Sequence, residues 1–275
     1  MTPASMLLAK ADIGVFDSGL GGLSVLREIQ RQAPGASVLY LADTLNVPYG
    51  DKPIAVVRDL ALKLTDCLVD AGVQIVIMAS GTSTVAGLHA AQSRYPDCPI
   101  VGTIKPGAEA AVLDTTGPIG VLSTNATARS LAFTHAVQAL DPARQVAEIG
   151  CPDFVPLVET GRARTPEAQI AALEYLMPLY AAKTQTIILG CTHFPFLISA
   201  LHHAVAEIGD PDFTPTFVDP SEAAVRAALA LSPSVFTDDF VGSVSFAASG
   251  DPEDFRRYAS LLLGAPIGAI APLAL

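Results

Sequence analysis

The chain has 275 residues, 51% of them hydrophobic, enough to bury a large core in one large domain or two ordinary ones. Sixteen Lys and Arg stand against 27 Asp and Glu, a formal net charge of −11, which excludes the basic footprint that binding a phosphate backbone requires. The close pairs Arg162/Arg164 and Arg256/Arg257 read as solvated faces, and nucleic acid is not expected as a partner. The N-terminal MTPASMLLAKADIG lacks a basic start and a full-length apolar signal core. The apolar tail LGAPIGAIAPLAL is broken by two prolines and falls short of the roughly 20 residues of a membrane helix. A cytoplasmic protein with no membrane partner is expected, its tail packed on the body. Cys67, Cys98, Cys151 and Cys191 show no CxxC or CxxH spacing, so neither a zinc site nor a disulfide framework is indicated. His89 and His135 stand alone, and His202/His203 sit on an expected helix.

Short apolar runs bounded by small residues predict strands in chain order at 12–16 (DIGVF), 37–42 (SVLYLA), 73–79, 99–103, 117–122, 145–149, 185–190 and 215–218. Helical patterns fill the gaps. In 53–71, for example, Ile54, Val57, Leu60, Leu64 and Leu68 recur at helical spacing while Arg58, Lys63 and Asp66 fall elsewhere. Strands alternating with helices predict an α/β fold with mostly parallel sheets. An internal echo divides it: IGVFDS at 13–18 resembles IGVLST at 119–124, and IVIMASGT at 75–82 resembles TIILGCTH at 186–193. Two similarities in the same order, both displaced by roughly 110 residues, suggest two α/β units of one plan. Ligands of open α/β sheets bind beyond the C-terminal ends of strands, so facing units place both strand ends in one cleft. In that register Ser80 answers to Cys191.

Cys191 follows a strand and precedes an expected helix whose first turn carries Pro195. A thiol at a helix N-terminus beside a histidine has its thiolate favoured relative to a free cysteine, making it a candidate base or nucleophile; an inert buried cysteine is the competing reading. The glycine-rich turn Asp17-Ser18-Gly19-Leu20-Gly21-Gly22-Leu23-Ser24 has a rival reading as a dinucleotide fingerprint, with Asp43 as the ribose acid. Against it, Asp17 would oppose a pyrophosphate, whereas it would welcome the ammonium group of an amino acid.

Longer stretches carry a resemblance: GVFDSGLGGLSVL (14–26), YLADTLNVPYG (40–50), IGVLSTNATARS (119–130), CPDFVPLVETG (151–161), ILGCTHFPFL (188–197), VDPSEAA (218–224) and SGDPEDF (249–255). In this order they resemble the glutamate racemases of the aspartate/glutamate racemase superfamily. The resemblance implies two α/β domains related by a pseudo-twofold axis, 1–104 plus 219–275 and 105–218, with the active site in the interdomain cleft. It implies cofactor-independent interconversion of L- and D-glutamate for peptidoglycan synthesis, with no metal, a small acid as partner, and a homodimer as a common assembly. The chemistry needs two thiols, because inversion requires the α-proton to leave from one face and return on the other. By the same resemblance, Asp17 and Ser18 bind substrate, with Pro48, Tyr49 and Gly50 as a second binding turn and Thr124 and Thr127 as a hydroxyl-bearing loop. Cys191 is one thiol, tuned by Glu159 and His193, and Thr192 and His193 contact substrate.

The departure lies at the other thiol. Where the family carries Ala-Cys-Asn-Thr, this chain has Ala79-Ser80-Gly81-Thr82. Ser80 replaces the first catalytic cysteine, and a serine hydroxyl without a neighbouring base is a weak proton acceptor. Gly81 removes a carboxamide, leaving backbone N–H and extra room, while Thr82 keeps a hydroxyl for a carboxylate. Three readings follow: a racemase with crippled inversion, a relative with another task, or a site in which Asp17 activates Ser80. Gly81-Thr82-Ser83 also resembles the turn of single-cysteine decarboxylases of malonate-type acids, and a non-catalytic amino-acid binder is the third class. On the sequence, restoring Ser80→Cys together with Gly81→Asn should recover racemisation.

Overall fold

The computed structural model describes residues 11–232 and 242–275; the N-terminal stretch weighed above for export lies, up to residue 10, outside them. Two parallel sheets form the frame. The first contains β1 (Ile13–Asp17), β2 (Val38–Ala42), β3 (Ile75–Met78), β4 (Ile100–Gly102), and two late strands. The second contains β5 (Ile119–Ser123), β6 (Val146–Gly150), β7 (Thr186–Leu189) and β8 (Thr216–Val218). The late strands, β9 (Val244–Ala248) and β10 (Ile270–Pro272), return to the first sheet. Strand orders are β10-β9-β2-β1-β3-β4 and β6-β5-β7-β8. The run β2-β1-β3-β4 therefore has the same connectivity as β6-β5-β7-β8, and the sequence echo falls on corresponding strands, β1 with β5 and β3 with β7.

Each predicted strand is present. β1, β3, β5 and β7 are buried along their whole lengths, which is why they read as continuous apolar runs rather than alternating ones: helices cover both faces. Ile13 and Val15 enter one core cluster and Phe16 the cluster on the opposite face. The predicted helix 53–71 spans Ile54–Asp70 and buries Val57, Leu64 and Leu68. Ile54, placed on the same stripe by spacing, is exposed because it opens the first turn.

Sequence patterning missed β9 and β10. β9 reads VSFAA, with few bulky β-branched residues, and β10 includes a proline, which an edge strand tolerates because one side needs no ladder donor. The tail expected to pack on the body does so as this parallel edge strand, pairing Ile270 with Phe246. No helix among the described residues is long and apolar enough to cross a membrane.

Two of the motif stretches are helix starts. Asp219 caps the helix Pro220–Leu231 by accepting from Ser221 N at 2.8 Å. Asp251 caps Pro252–Leu263 by accepting from Glu253 N at 2.8 Å and Asp254 N at 3.0 Å. In both, proline at the first helical position loses an N–H that has no intrahelical partner anyway. Asp251→Ala is expected to cost about 0.5–2 kcal/mol, measured as a lower urea midpoint at unchanged slope.

Candidate active site

The C-terminal ends of β1, β3, β5 and β7 converge on one cavity between the two sheets. Asp17, Ser18, Pro48, Tyr49, Gly50, Ser80, Thr82, Thr124, Cys191, Thr192 and His193 all line it. Three other expected residues stand just behind the wall. Glu159 backs His193, Thr127 backs Thr124, and Gly81 faces the Gly190 carbonyl. The cavity is about 20 Å³, little more than the room of one water molecule, too small for an amino acid in this arrangement.

Asp17 ends β1 and is fully buried. Its Oδ1 accepts from Gly19 N at 2.9 Å and its Oδ2 from the Thr192 hydroxyl at 3.1 Å. Burial drives its carboxyl above the usual carboxylate range, outweighing the pull of His193 and the Gly19 N–H. A cation arriving beside it would favour the charged form.

Cys191 follows Gly190 at the end of β7. Its Sγ lies 3.6 Å from His193 Nδ1, and His193 Nε2 lies 2.6 Å from Glu159 Oε1. Burial opposes the imidazolium, but the hydrogen bonds to Cys191 and Glu159 prevail and hold the His193 pKa well above its ordinary value. The expected helix after Cys191 begins differently: a four-residue 3-10 turn, Phe194–Leu197, precedes the α-helix Ile198–Ile208. Pro195 sits in that 3-10 turn. Cys191 therefore faces the His193 imidazole and not the end of a long helix dipole.

Ser80 is built differently. It is the N-cap of the helix Gly81–Arg94, and its Oγ accepts from Ser83 N at 3.2 Å. Among the described residues no carboxylate or imidazole is hydrogen-bonded to Ser80, and both Asp17 oxygens are committed to Gly19 and Thr192. The geometry therefore gives no support to the reading in which Asp17 activates Ser80; the serine serves as a capping residue. Cys151 also lines the cavity, yet its Sγ points to Ile149 O at 3.6 Å and burial pushes its thiol up, so it is no replacement base.

Hydroxyls bridge the halves. Thr82 Oγ1 lies 3.0 Å from Thr124 Oγ1, which donates to Thr127 Oγ1 at 3.1 Å. A carboxylate entering here would take up donors that now satisfy one another. Tyr49 lines the wall through its ring, because its hydroxyl donates to Asp43 Oδ2 at 2.7 Å. Asp43 also accepts from Asn46 and Ser249 and is fully buried, which removes it as a ribose acid. The dinucleotide reading fails at the glycine turn too. Glu159 and His193 fill the space against Gly19 and Gly21 that a pyrophosphate would need.

Asp51, Asn125, Pro152 and Val155 line the cavity as well and were not singled out by sequence. Each lies within or directly beside a motif stretch, and their residue types gave no separate chemical signal.

A family model described as Asp/Glu/Hydantoin racemase matches residues 13–228. The chain belongs to this family. Among relatives of this racemase family, a protein of Microcystis aeruginosa named glutamate racemase is 41% identical over 258 residues, covering 92% of this chain and 87% of its own length. A solved glutamate racemase isoform of Bacillus anthracis superposes with a TM-score of 0.88 at 30% identity, over 96% of this chain and 98% of that one. The glutamate racemase of Francisella tularensis, solved in complex with D-glutamate, gives 0.86 at 25% identity over 97% and 98%. The mixed α/β frame with two parallel sheets is the fold these racemases share.

Proposed function

We propose that the protein is a cofactor-independent glutamate racemase-type enzyme in which Cys191 transfers the α-proton on one face and Ser80 stands where the second thiol belongs. The observation that carries this reading is the unequal pair in one cavity: a thiol–imidazole–carboxylate series from the second half, and a hydroxyl used as a helix cap from the first. The relatives named glutamate racemases, one of them solved with D-glutamate, support glutamate as the substrate. On this reading the product, D-glutamate, serves peptidoglycan synthesis. The domain division at 104/105 and 218/219, a cytoplasmic location and a homodimer belong to the same proposal.

The substrate ammonium pairs with Asp17 and offsets the cost of burying its charged form. Thr82, Thr124 and the N-terminal N–H groups of the helix Gly81–Arg94 receive the α-carboxylate and the charge that develops on it. Ser18, Pro48, Tyr49 and Gly50 form the opposing wall, and Thr192 holds Asp17 in place. Cys191 as thiolate takes the α-proton, with the His193 imidazolium and Glu159 compensating its charge. The same thiol then returns a proton to the same face. Inversion requires Ser80 to deliver a proton from the other side and so become an alkoxide, far more basic than a thiolate, with the Ser83 N–H as its hydrogen-bond donor among the described residues.

In D₂O the protein is expected to exchange the α-proton of one glutamate enantiomer, L on the family role of Cys191, far faster than it inverts either. Proton NMR of the α-position together with chiral chromatography measures both. Rapid inversion of both enantiomers would sink the one-thiol reading. Binding with no exchange would favour a non-catalytic amino-acid binder, and CO₂ release from an α-substituted malonate would favour the single-cysteine decarboxylase suggested by Gly81-Thr82-Ser83.

A further inference from the structure

The glycine-rich turn after β1 does not need glycine for its backbone. The described glycines with positive φ are Gly72, Gly161, Gly209 and Gly264, and neither Gly19 nor Gly21 is among them. What excludes a side chain is the other half of the molecule. A Cβ on Gly19 would lie 2.2 Å from Glu159 Oε1, and one on Gly21 would lie 2.2 Å from His193 Nδ1 and 2.6 Å from Thr192 Oγ1. Between them, Leu20 N donates to Glu159 Oε1 at 2.7 Å, the oxygen that also meets His193 Nε2 at 2.6 Å. Tyr40 braces the turn by donating its hydroxyl to Gly19 O at 2.9 Å.

We propose that Gly19, Leu20 and Gly21 are positioning residues for the Cys191 thiol: they form a socket in the first half that seats Glu159 and His193 of the second, so the thiol's proton partner is aligned only while the halves are together. The inference rests on the reading of Cys191 as the proton-transfer group. The Glu159 carboxylate orients the imidazole through Nε2, and the Leu20 N–H fixes the carboxylate with a charge-assisted bond. When the halves part to admit substrate, that N–H leaves and water takes its place. The proton moves from Cys191 Sγ to His193 Nδ1 once closure restores the series, which ties thiolate formation to a closed, dry cleft. The ionisable groups around this series are Asp17, reached through Thr192, the Cys151 thiol, and the Tyr40 phenol beneath the turn.

The test is a double-mutant cycle read on the thiol itself in the full chain. The ultraviolet absorbance of the thiolate is followed in a background carrying Cys67→Ser, Cys98→Ser and Cys151→Ser, a readout that needs no reagent to enter the closed cleft. Gly19→Ala is expected to lower the thiolate fraction at neutral pH about tenfold, Glu159→Ala to lower it similarly, and the two together no further, because both act through one carboxylate. An unchanged thiolate fraction in Gly19→Ala, or a further tenfold fall in the double variant, overturns the proposal. If the Gly19→Ala protein does not fold, Gly21→Ala with His193→Ala supplies the same cycle through the imidazole, with the same expected and overturning results. Because this readout needs no substrate, a failure of glutamate exchange would count against the proposed function and leave the cycle interpretable.

Discussion

Ser80→Cys alone is expected to raise the rate of glutamate inversion by roughly 10²–10⁴-fold, the usual contribution of a positioned general acid–base group, measured by circular dichroism of L-glutamate turning racemic. Residue 80 caps a 14-residue helix at the end of β3 and lines the cavity that Cys191 also lines. A thiolate there would gain from the helix N-terminus what the hydroxyl, far less acidic, cannot use. The cost is the cap, since sulfur accepts poorly from Ser83 N; about 0.5–2 kcal/mol of stability is expected to go. Adding Gly81→Asn is expected to lose part of the gain, contrary to the expectation from sequence. A Cβ on Gly81 would lie 2.9 Å from the Gly190 carbonyl oxygen, backbone of the facing half, so it cannot be met by a side-chain rotation and must spread the cleft. A double variant that inverts glutamate faster than the single one would show that the halves separate freely at this point.

That difference marks the boundary of what the sequence could convey. The repeated plan was legible because β1, β3, β5 and β7 are buried on both faces and so leave uninterrupted apolar runs ending in polar turns. Most of the cavity wall was legible because those turns carry chemistry-bearing residues in a familiar order. What was not legible depends on distances across the cleft. Nothing in Gly81 announces that its missing side chain lets Gly190 approach, and nothing in Gly19 or Gly21 says that a carboxylate and an imidazole from far along the chain occupy the space. Tyr49 lines the cavity, yet its hydroxyl partner Asp43 comes from the preceding turn, a pairing that spacing does not reveal. β9 and β10 were lost because small residues and an edge-strand proline give little strand signal.

Asp17→Asn is expected to lower glutamate exchange at subsaturating substrate by roughly 10²–10³-fold, the scale of removing one member of a buried charge pair, while raising the melting temperature. The two effects share a cause. The Asp17 carboxylate is fully buried, with a backbone N–H and the Thr192 hydroxyl as its hydrogen-bond partners, and burial raises its pKa. A folded-state pKa above the unfolded value means that the native state binds the proton more tightly, so stability is greatest at low pH and falls as pH rises through the folded pKa. The unliganded protein bears this penalty increasingly as pH rises above the unfolded carboxyl value; an asparagine can accept from Gly19 N and donate to Thr192 without it. Each kcal/mol recovered is worth roughly 2–4 °C at this chain length. The gap in melting temperature between Asp17→Asn and the parent should therefore be widest at neutral pH and close as pH falls toward the unfolded carboxyl value of about 3.9. A lower melting temperature for the asparagine variant at neutral pH would mean that the carboxylate is held for the fold, through Gly19 and Thr192, and not for the cation that the substrate brings.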